Sequence, residues 1–313
     1  MAQEPRTLME AVRYFADPDV ALAHMVELRW GGTPTCPTCG RTDVRFLATR
    51  RLWECKGAHA RKQFSAKVGT IFEDSALPLD KWFVAIWMVA NCKNGISSYE
   101  MARALGITQK SAWHMNHRIR LAMKLGTIEK MDGEVEVDET YVGGKAANRH
   151  RGDPKSGQGV YGKVPVVGAL ERGGRAVAAV VRRTDIPTLE GFVRAVVSPD
   201  AKLVATDEHG GYTHLKRSYR HGVVRHTAGE YVVGSIHTNG IEGFWALLKR
   251  ALKGTYISVE PFHLGRYVDE QTFRFNHRKG TDGSRFATAL TGIIGRKLTY
   301  RELTRNGAVA SAA

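Results

Sequence analysis

Cysteine is scarce in this sequence, with four residues among 313. Two of them form Cys36-Pro37-Thr38-Cys39, and thiols so few and so locally spaced exclude a disulfide framework and favour metal binding. Long apolar runs are also missing, since the longest, from Trp82 to Ala90, is far too short to span a bilayer. The first residues lack the apolar core of a signal peptide. We therefore expect a cytosolic protein that has no membrane partner.

Acidic residues are the minority among the charged ones. The chain has 46 Lys and Arg against 31 Asp and Glu, which gives a net charge of +15. Such a balance predicts an anionic partner, and nucleic acid fits better than a membrane surface in the absence of any spanning segment. A chain of this length predicts two or three domains.

The scarce acids are concentrated in one short stretch, Glu134-Val135-Glu136-Val137-Asp138-Glu139. Alternation of acid and valine predicts a strand with Glu134, Glu136 and Asp138 on one face and the valines on the other. Like charges on one face require neutralisation, and a bound cation would supply it. The alternative is a solvated edge strand with an acidic outer face.

A metal-binding ribbon is predicted over residues 34–66. Cys36 and Cys39 precede two short strand-like segments, and Cys55 ends the second. Tetrahedral zinc takes four sulfur or nitrogen ligands, but Ala58 occupies the place of a second Cys-x-x-Cys cysteine. His59 is the nearest competent donor, so we expect one structural Zn²⁺ on Cys36, Cys39, Cys55 and His59. The alternative is a reduced Cys-x-x-Cys without metal and a buried Cys55.

Helices are predicted before and after the ribbon. Residues 1–33 contain two short helices, and residues 67–130 form a helical region with a helix-turn-helix pattern. In that pattern a helix over 98–105 stops at Gly106, and Thr108 caps a longer second helix. An ordinary helical hairpin is the alternative. The second helix carries side chains suited to base edges and phosphates, namely Gln109, Lys110, His114 and Arg118.

Residues 131–300 are predicted to form one α/β domain. Strands flanking Arg172-Gly173-Gly174-Arg175 make a meander with the acidic strand, and a later strand ends at Asp207. A helix capped by Thr238 or Asn239 carries Glu242 in its first turns, with Lys249 and Arg250 as phosphate-binding candidates. We expect a mobile basic loop over 146–162, a last amphipathic helix over 261–277 and a flexible tail over 301–313.

The chain resembles the insertion-sequence DDE transposases of the ISXO type over about residues 16–278. The likeness is carried by Cys36-x-x-Cys39, Gly69-Thr70-Ile71-Phe72-Glu73-Asp74-Ser75, Val137-Asp138-Glu139-Thr140-Tyr141-Val142-Gly143-Gly144-Lys145, Thr206-Asp207-Glu208, His237-Thr238-Asn239-x-x-Glu242-x-Phe244-Trp245-x-Leu247-Leu248-Lys249-Arg250 and Arg274-Phe275-Asn276-x-Arg278. The ribbons of that family usually close with two cysteine pairs, and the second pair is incomplete here.

The resemblance implies an α/β fold, a ribonuclease-H-like mixed sheet with flanking helices, preceded by the zinc ribbon and the helix-turn-helix. Asp138, Asp207 and Glu242 would hold two Mg²⁺ or Mn²⁺ ions, with Glu139 and Glu208 either supporting them or lying on the surface. The implied reaction is cleavage of double-stranded DNA at terminal inverted repeats and strand transfer into target DNA. A homo-oligomer on DNA, associated with the bacterial nucleoid, is the implied assembly.

Two other functions fit the same patterns. One is a metal-dependent nuclease of the same fold that cuts DNA without joining it. The other is a DNA-binding regulator built from the ribbon and the helix-turn-helix, with an inactive catalytic domain. Asp138, Asp207 and Glu242 argue against an inactive domain, because three acids brought together repel one another unless a bound cation neutralises them.

Overall fold

Two units make up the chain in the computed structural model, which describes residues 5–124, 126, 129–143, 162–230 and 232–304. The first unit combines the chain up to Lys124 with the part from Lys279 onward, and the second comprises the intervening residues. In chain order the elements are α1 (Leu8–Phe15), α2 (Pro18–Trp30), β1 (Val44–Leu47), β2 (Leu52–Cys55), β3 (Gln63–Phe64), α3 (Leu79–Asn91), α4 (Ser98–Leu105), α5 (Gln109–Met123), β4 (Glu134–Val142), β5 (Val164–Glu171), β6 (Ala176–Val180), α6 (Ile186–Val196), β7 (Leu203–Thr206), β8 (His221–Val223), α7 (Asn239–Ala251), α8 (Leu264–Asn276), α9 (Asp282–Thr291) and α10 (Tyr300–Thr304).

The two predicted helices and the turn between them are confirmed by their caps. At the start of α4 the Ser97 side chain accepts from the Glu100 N–H, and the Glu100 carboxylate accepts from the Ser97 N–H. Gly106 ends α4 with φ of 59°, a left-handed conformation that glycine adopts without a steric penalty. The Thr108 side chain then accepts from the Ser111 N–H and starts α5.

Helix α9 packs in the first unit, although sequence reasoning placed residues up to 300 in the catalytic domain. The Phe286 ring lies 5.8 Å from that of Phe15 and 5.2 Å from that of Trp87. Arg285 donates to Asn91, which fixes the same contact. The expected boundary at 300 is therefore corrected, because apolar contacts draw α9 to the N-terminal helices. The helix expected over 261–277 is present as a 3₁₀ turn over Pro261–His263 and α8, but α9 and α10 follow it.

The ribbon is a three-stranded antiparallel sheet in the order β1-β2-β3. The Trp30 ring of α2 meets the Trp53 ring of β2 edge-on at 5.5 Å between centroids, and the Phe64 ring of β3 at 6.0 Å. These rings make α2 part of the ribbon's core, whereas the sequence analysis began the ribbon at residue 34.

The second unit contains a mixed sheet in the order β6-β5-β4-β7-β8. Strands β4, β5 and β6 pair antiparallel as the expected meander, while β7 pairs parallel to both β4 and β8. Helix α6 covers one face of the sheet, and α7 and α8 cover the other. This confirms the ribonuclease-H-like arrangement. Among the helices within the described ranges, none has the length and apolarity needed to cross a membrane.

Alternation along β4 divides its side chains between the two faces. Val135 and Val137 join the apolar cluster under α6. Glu136 and Asp138 consequently turn toward α7, which they both contact by hydrogen bonds. The acidic face therefore lies under a helix, and the alternative of a solvated edge strand is excluded because β4 is the central strand of the sheet.

Candidate active site and metal centre

Asp138 and Asp207 lie side by side where the parallel pairing of β4 and β7 ends. Val137 of β4 is paired with Thr206 of β7, so the next residues, Asp138 and Asp207, emerge side by side. One carboxylate oxygen from each of Asp138, Glu139 and Asp207 lies within 4.8 Å of the others. Carboxylate oxygens this close are the ligand set that Mg²⁺ and Mn²⁺ prefer.

The electrostatics of this pair favour a cation. Burial, followed by the charges of Asp207 and Glu139, raises the pKa of Asp138 to about 7. A carboxyl group with this pKa is only partly ionised at neutral pH, since the ionised form lacks a compensating charge. A divalent ion would supply that charge, so the acid pair fits a divalent metal ion.

Trp245 of α7 positions Asp138. Its indole Nε1 donates to Asp138 Oδ2 at 3.0 Å, which fixes one carboxylate oxygen. The ring reaches Asp138 across Gly168 of β5, where a Cβ atom would lie 2.6 Å from the indole. Glycine at 168 is therefore required for the approach of the tryptophan.

Glu139 has its carboxylate oxygens engaged by protein groups. Tyr212 donates its hydroxyl to Glu139 Oε2 at 2.8 Å, and His209 Nε2 lies 3.6 Å from Oε1. Burial raises the pKa of Glu139, with a smaller contribution from the charge of Asp207. The loop that carries His209 and Tyr212 is also fixed to Asp207, since the His209 N–H donates to Asp207 Oδ1 at 3.0 Å.

Glu242 lies in the first turn of α7, outside the cluster of close oxygens. Its Oε1 accepts from Thr238 Oγ1 at 2.8 Å and lies 3.6 Å from His226 Nε2. The side chain is about half exposed, at 47%. His226 follows β8, so Glu242 occupies the β7–β8 side of the helix, the same side as Asp207. The structure therefore brings two of the three expected acids together and leaves the third on an adjacent helix turn.

The other acids of β4 are neutralised by protein groups. Glu136 is 1% exposed and accepts from the N–H groups of Gly240 and Ile241 at the start of α7. Arg172 donates to both Glu136 and Glu134. Glu136 thus does the capping that was expected of Thr238 or Asn239, whose side chains make no cap hydrogen bond. A cation was expected to neutralise Glu134, Glu136 and Asp138 together. Because protein groups neutralise Glu134 and Glu136, only Asp138 still requires a cation.

The three ribbon cysteines and His59 form a second cluster with ligand atoms within 4.8 Å of one another. Cys36 Sγ lies 3.4 Å from His59 Nε2, and Cys39 Sγ lies 3.5 Å from Cys55 Sγ. Zinc–sulfur bonds of about 2.3 Å in a tetrahedron place two sulfurs roughly 3.8 Å apart, close to the observed separation. Although burial opposes it, N–H groups of Cys39 and Thr38 lower the pKa of Cys36 to about 6. This donor set fits one structural zinc ion, and Cys92 lies outside it.

Comparison with known proteins extends over both centres. A family model described as the ISXO2-like transposase domain matches residues 130–276. A second, described as the transposase zinc-ribbon domain, matches residues 17–60. Residues 17–60 and 130–276 are thus similar to the two domains of an insertion-sequence transposase. A relative from Halobacterium salinarum, named as an uncharacterized protein in transposable element ISH50, is 25% identical over 258 residues, covering 78% of this chain and 86% of the relative.

The transposase zinc-ribbon match begins at residue 17, which agrees with the packing of α2 against the ribbon strands. The transposase domain match ends at residue 276, close to the end of the second unit at Arg278. The second boundary supports a division in which α9 and α10 lie outside the transposase domain.

The expected DNA contacts of the transposase occupy different environments. Lys110 and Arg250 are exposed, while Gln109, His114 and Lys249 are half-buried. Gln109 donates to Ser98, and His114 Nε2 lies 3.2 Å from the Leu298 carbonyl oxygen. The structure leaves Lys110, Arg250 and parts of Gln109 and Lys249 accessible to DNA.

Arg118 does not fit the DNA-binding role that the sequence suggested. It is buried and donates to the carbonyl oxygens of Leu298, Ile71 and Glu73 at 2.9, 3.1 and 2.8 Å. A guanidinium whose donors satisfy buried carbonyls is a structural brace, and it cannot reach a phosphate from there. The expectation for Arg118 is therefore corrected.

Several supporting residues of the transposase domain were not predicted as functional. Trp245, Tyr212 and Glu136 stand out only through contacts across more than 70 positions of sequence. Glu208 accepts from Thr227 and is exposed, so it anchors the loop after β8 and does not join the acid pair. Of the basic loop expected over 146–162, all but Gly162 lies outside the described residues. Of the flexible tail expected over 301–313, residues 301–304 belong to α10 and the remainder lies outside the described residues.

Proposed function

We propose that this transposase cleaves double-stranded DNA at the ends of its element and joins those ends to target DNA. The observation that carries the proposal is the placement of Asp138 and Asp207 side by side, just beyond the last parallel pair of β4 and β7. The two together make a divalent-ion site in a transposase-family domain, which is suited to phosphoryl transfer on DNA.

Asp138 and Asp207 would hold two Mg²⁺ or Mn²⁺ ions between them. Bound ions of this kind activate the attacking oxygen and stabilise the leaving oxygen of an in-line phosphoryl displacement. The protein residues contribute orientation: Trp245 fixes Asp138 Oδ2, and the His209 N–H fixes Asp207 Oδ1.

Glu242 is our third ligand, in preference to Glu139 and Asn239. Both oxygens of Glu139 face a Tyr212 hydroxyl or a His209 ring nitrogen, which suits support of the site. Asn239 is exposed and neutral, and two divalent ions need more negative charge than two aspartates provide. Glu242 is half exposed and lies on the Asp207 side of α7, so a rotation of its side chain away from Thr238 would bring it toward the pair.

DNA binding is proposed to use both units. Lys249 and Arg250 extend the helix that carries Glu242, while Gln109 and Lys110 start the second helix of the helix-turn-helix. The zinc ion on Cys36, Cys39, Cys55 and His59 would hold the ribbon folded. A homo-oligomer that holds two ends and a target together, at the nucleoid, is the assembly we propose.

The test is a cleavage and joining assay with wild-type protein, magnesium and duplexes taken from the DNA flanking the reading frame. We expect nicks at the element ends and joined products with a plasmid target. Asp138→Asn and Glu242→Gln should each lose at least about a hundredfold in rate, the effect of removing one preorganised electrostatic group. The matched control Asp200→Asn, at an exposed acid in the same unit, should keep wild-type rates.

The outcomes separate the candidate functions. Nicking without joined products would identify a nuclease, and binding without either product would identify a regulator. If Glu139→Gln lost activity while Glu242→Gln retained it, the third ligand would be Glu139.

A further inference from the structure

An exposed isoleucine follows helix α7 in a strained turn. The helix continues into a π-turn over Leu252–Tyr256, and Ile257 comes next with φ of 60° and ψ of −59°. The Ser258 N–H donates to the Tyr256 carbonyl at 2.6 Å, which closes a γ-turn of the rare, strained type around Ile257. A β-branched residue seldom adopts positive φ, and this one is 82% exposed. Because the Ile257 side chain is exposed, its burial does not offset the backbone strain of the turn.

The residues around Ile257 are firmly held. Tyr256 donates its hydroxyl to Glu270 Oε1 at 2.5 Å, and its ring lies 4.7 Å from the Tyr267 ring. Glu270 is itself fully buried and paired with Arg274 on α8. On the other side, Val259 packs against the apolar cluster under α7 and α8. Ile257 therefore projects from a rigid base.

The surroundings of Ile257 are basic. Lys249 and Arg250 lie in the last turn of α7, and Lys253 is exposed in the π-turn. Glu260 is the exposed acid that follows. Although Phe262, five residues on, is also 38% exposed, an exposed isoleucine flanked by cations offers little of the contiguous apolar area that a protein-docking patch needs. It suits duplex DNA, where cations bind phosphates and apolar side chains enter between base steps.

The turn lies along the same helix as the acid site. Ile241 at the start of α7 contacts Glu136, and Trp245 farther along the helix contacts Asp138. Helix α7 therefore runs alongside β4 in the same direction. Ala251, the last residue of α7, is six residues past Trp245, and the π-turn continues from there. Ile257 is twelve residues past Trp245, so at about 1.5 Å per helical residue it lies up to roughly 18 Å beyond Trp245 along the helix, about five base-pair steps of 3.4 Å.

We propose that Ile257 is a wedge that enters between adjacent base pairs of the bound duplex, about five steps from the cleaved phosphate. The proposal rests on the proposed function, because it requires duplex DNA at the acid pair. Its role is positioning: by unstacking one step, Ile257 would fix the register of the duplex, while Lys249, Arg250 and Lys253 hold the phosphates. The backbone conformation of the turn directs the Ile257 side chain away from the protein.

The test uses full-length protein and duplexes from the DNA flanking the reading frame, with 2-aminopurine placed at successive positions. Wild type should raise the fluorescence at one step near the cleavage position. Ile257→Ala and Ile257→Gly should lose this rise yet bind within about tenfold of wild type, because the phosphate contacts remain. Glycine tolerates positive φ, so Ile257→Gly should also unfold no more easily than wild type.

Two further variants make the outcomes decisive. Met9→Ala, at an apolar residue 59% exposed in the first unit, should keep the fluorescence rise. Asp138→Asn should lose cleavage and keep the rise. Cleavage without any rise in wild type, or a full rise with Ile257→Gly, would refute the wedge alone. A wild-type protein that neither binds nor cuts these duplexes would refute both the wedge and the proposed function.

Discussion

At the scale of single residues, the site depends on a small number of contacts around Asp138. One oxygen of this carboxylate is fixed by the Trp245 indole, and its charge is opposed by Asp207 and Glu139. Glycine at position 168 makes the tryptophan contact sterically feasible. Geometry and charge can therefore be tested separately, by variants at Gly168 and by changes in pH.

Gly168→Ala should destabilise the protein and displace Trp245. A Cβ atom at 168 would lie 2.6 Å from the indole, and overpacking of this kind costs about 1 to 3 kcal/mol. Gly191→Ala in α6 is the matched control, because a Cβ atom there meets no atom within 4 Å and alanine favours a helix by up to about 1 kcal/mol. Urea unfolding of both variants checks this prediction, and equal stability changes would contradict it.

Binding of divalent cations should strengthen as pH rises through about 7. Burial and the neighbouring acids raise the pKa of Asp138 to about 7 in the metal-free protein, so below that pH a cation must displace a proton. Asp207→Asn removes a like charge and should lower the pKa of Asp138. Calorimetric titration with Mn²⁺ at pH 6 and pH 8 measures the effect. An affinity that is equal at the two values would show that Asp138 does not titrate on binding.

At the scale of elements, the ribbon illustrates how a short motif is completed by neighbours. The three strands bring Cys55 and His59 to the Cys36–Cys39 knuckle, and α2 adds its tryptophan to the core. Cys36, Cys39 and Cys55 could be chosen from the sequence by spacing alone. The sequence indicates His59 only as the nearest competent donor after Ala58. In the structure its ring nitrogen Nε2 lies 3.4 Å from Cys36 Sγ.

His59→Ala should lose stoichiometric zinc and lower the melting temperature, since structural zinc contributes directly to folding. His59→Cys should keep the zinc, because cysteine is an equally good ligand. Metal content by mass spectrometry and thermal unfolding check both variants. Full zinc occupancy in His59→Ala would remove His59 from the ligand set.

At the scale of the whole molecule, local patterns predicted most elements, and long-range contacts decided the remainder. Strand alternation, glycine turns and caps were enough to predict the meander and the two helices around Gly106, whereas the pairing of Asp138 with Asp207 was implied by the family resemblance. Sequence alone could not show that Glu136 caps a helix more than 100 positions away, or that Arg118 is a brace. Those roles arise from tertiary packing, which periodicity does not encode.

The division into two units predicts how the second should be isolated. A fragment over 126–278 should be monodisperse, whereas one over 126–304 would carry α9 with Phe286 and Leu290 deprived of their core. Exposed apolar surface of that kind promotes aggregation. Size-exclusion chromatography of both fragments checks this. A longer fragment that is the better behaved of the two would restore the boundary at 300.

The central claim is that Asp138 and Asp207 hold divalent ions for phosphoryl transfer. The most direct measurement is a crystal structure of the transposase with Mn²⁺ and end DNA, using the anomalous signal of manganese. We predict two peaks about 3.5 to 4 Å apart, both bound by Asp138, one also by Asp207 and the other by a Glu242 side chain turned away from Thr238. Peaks that lie elsewhere, or no peak at the aspartate pair, would contradict the account.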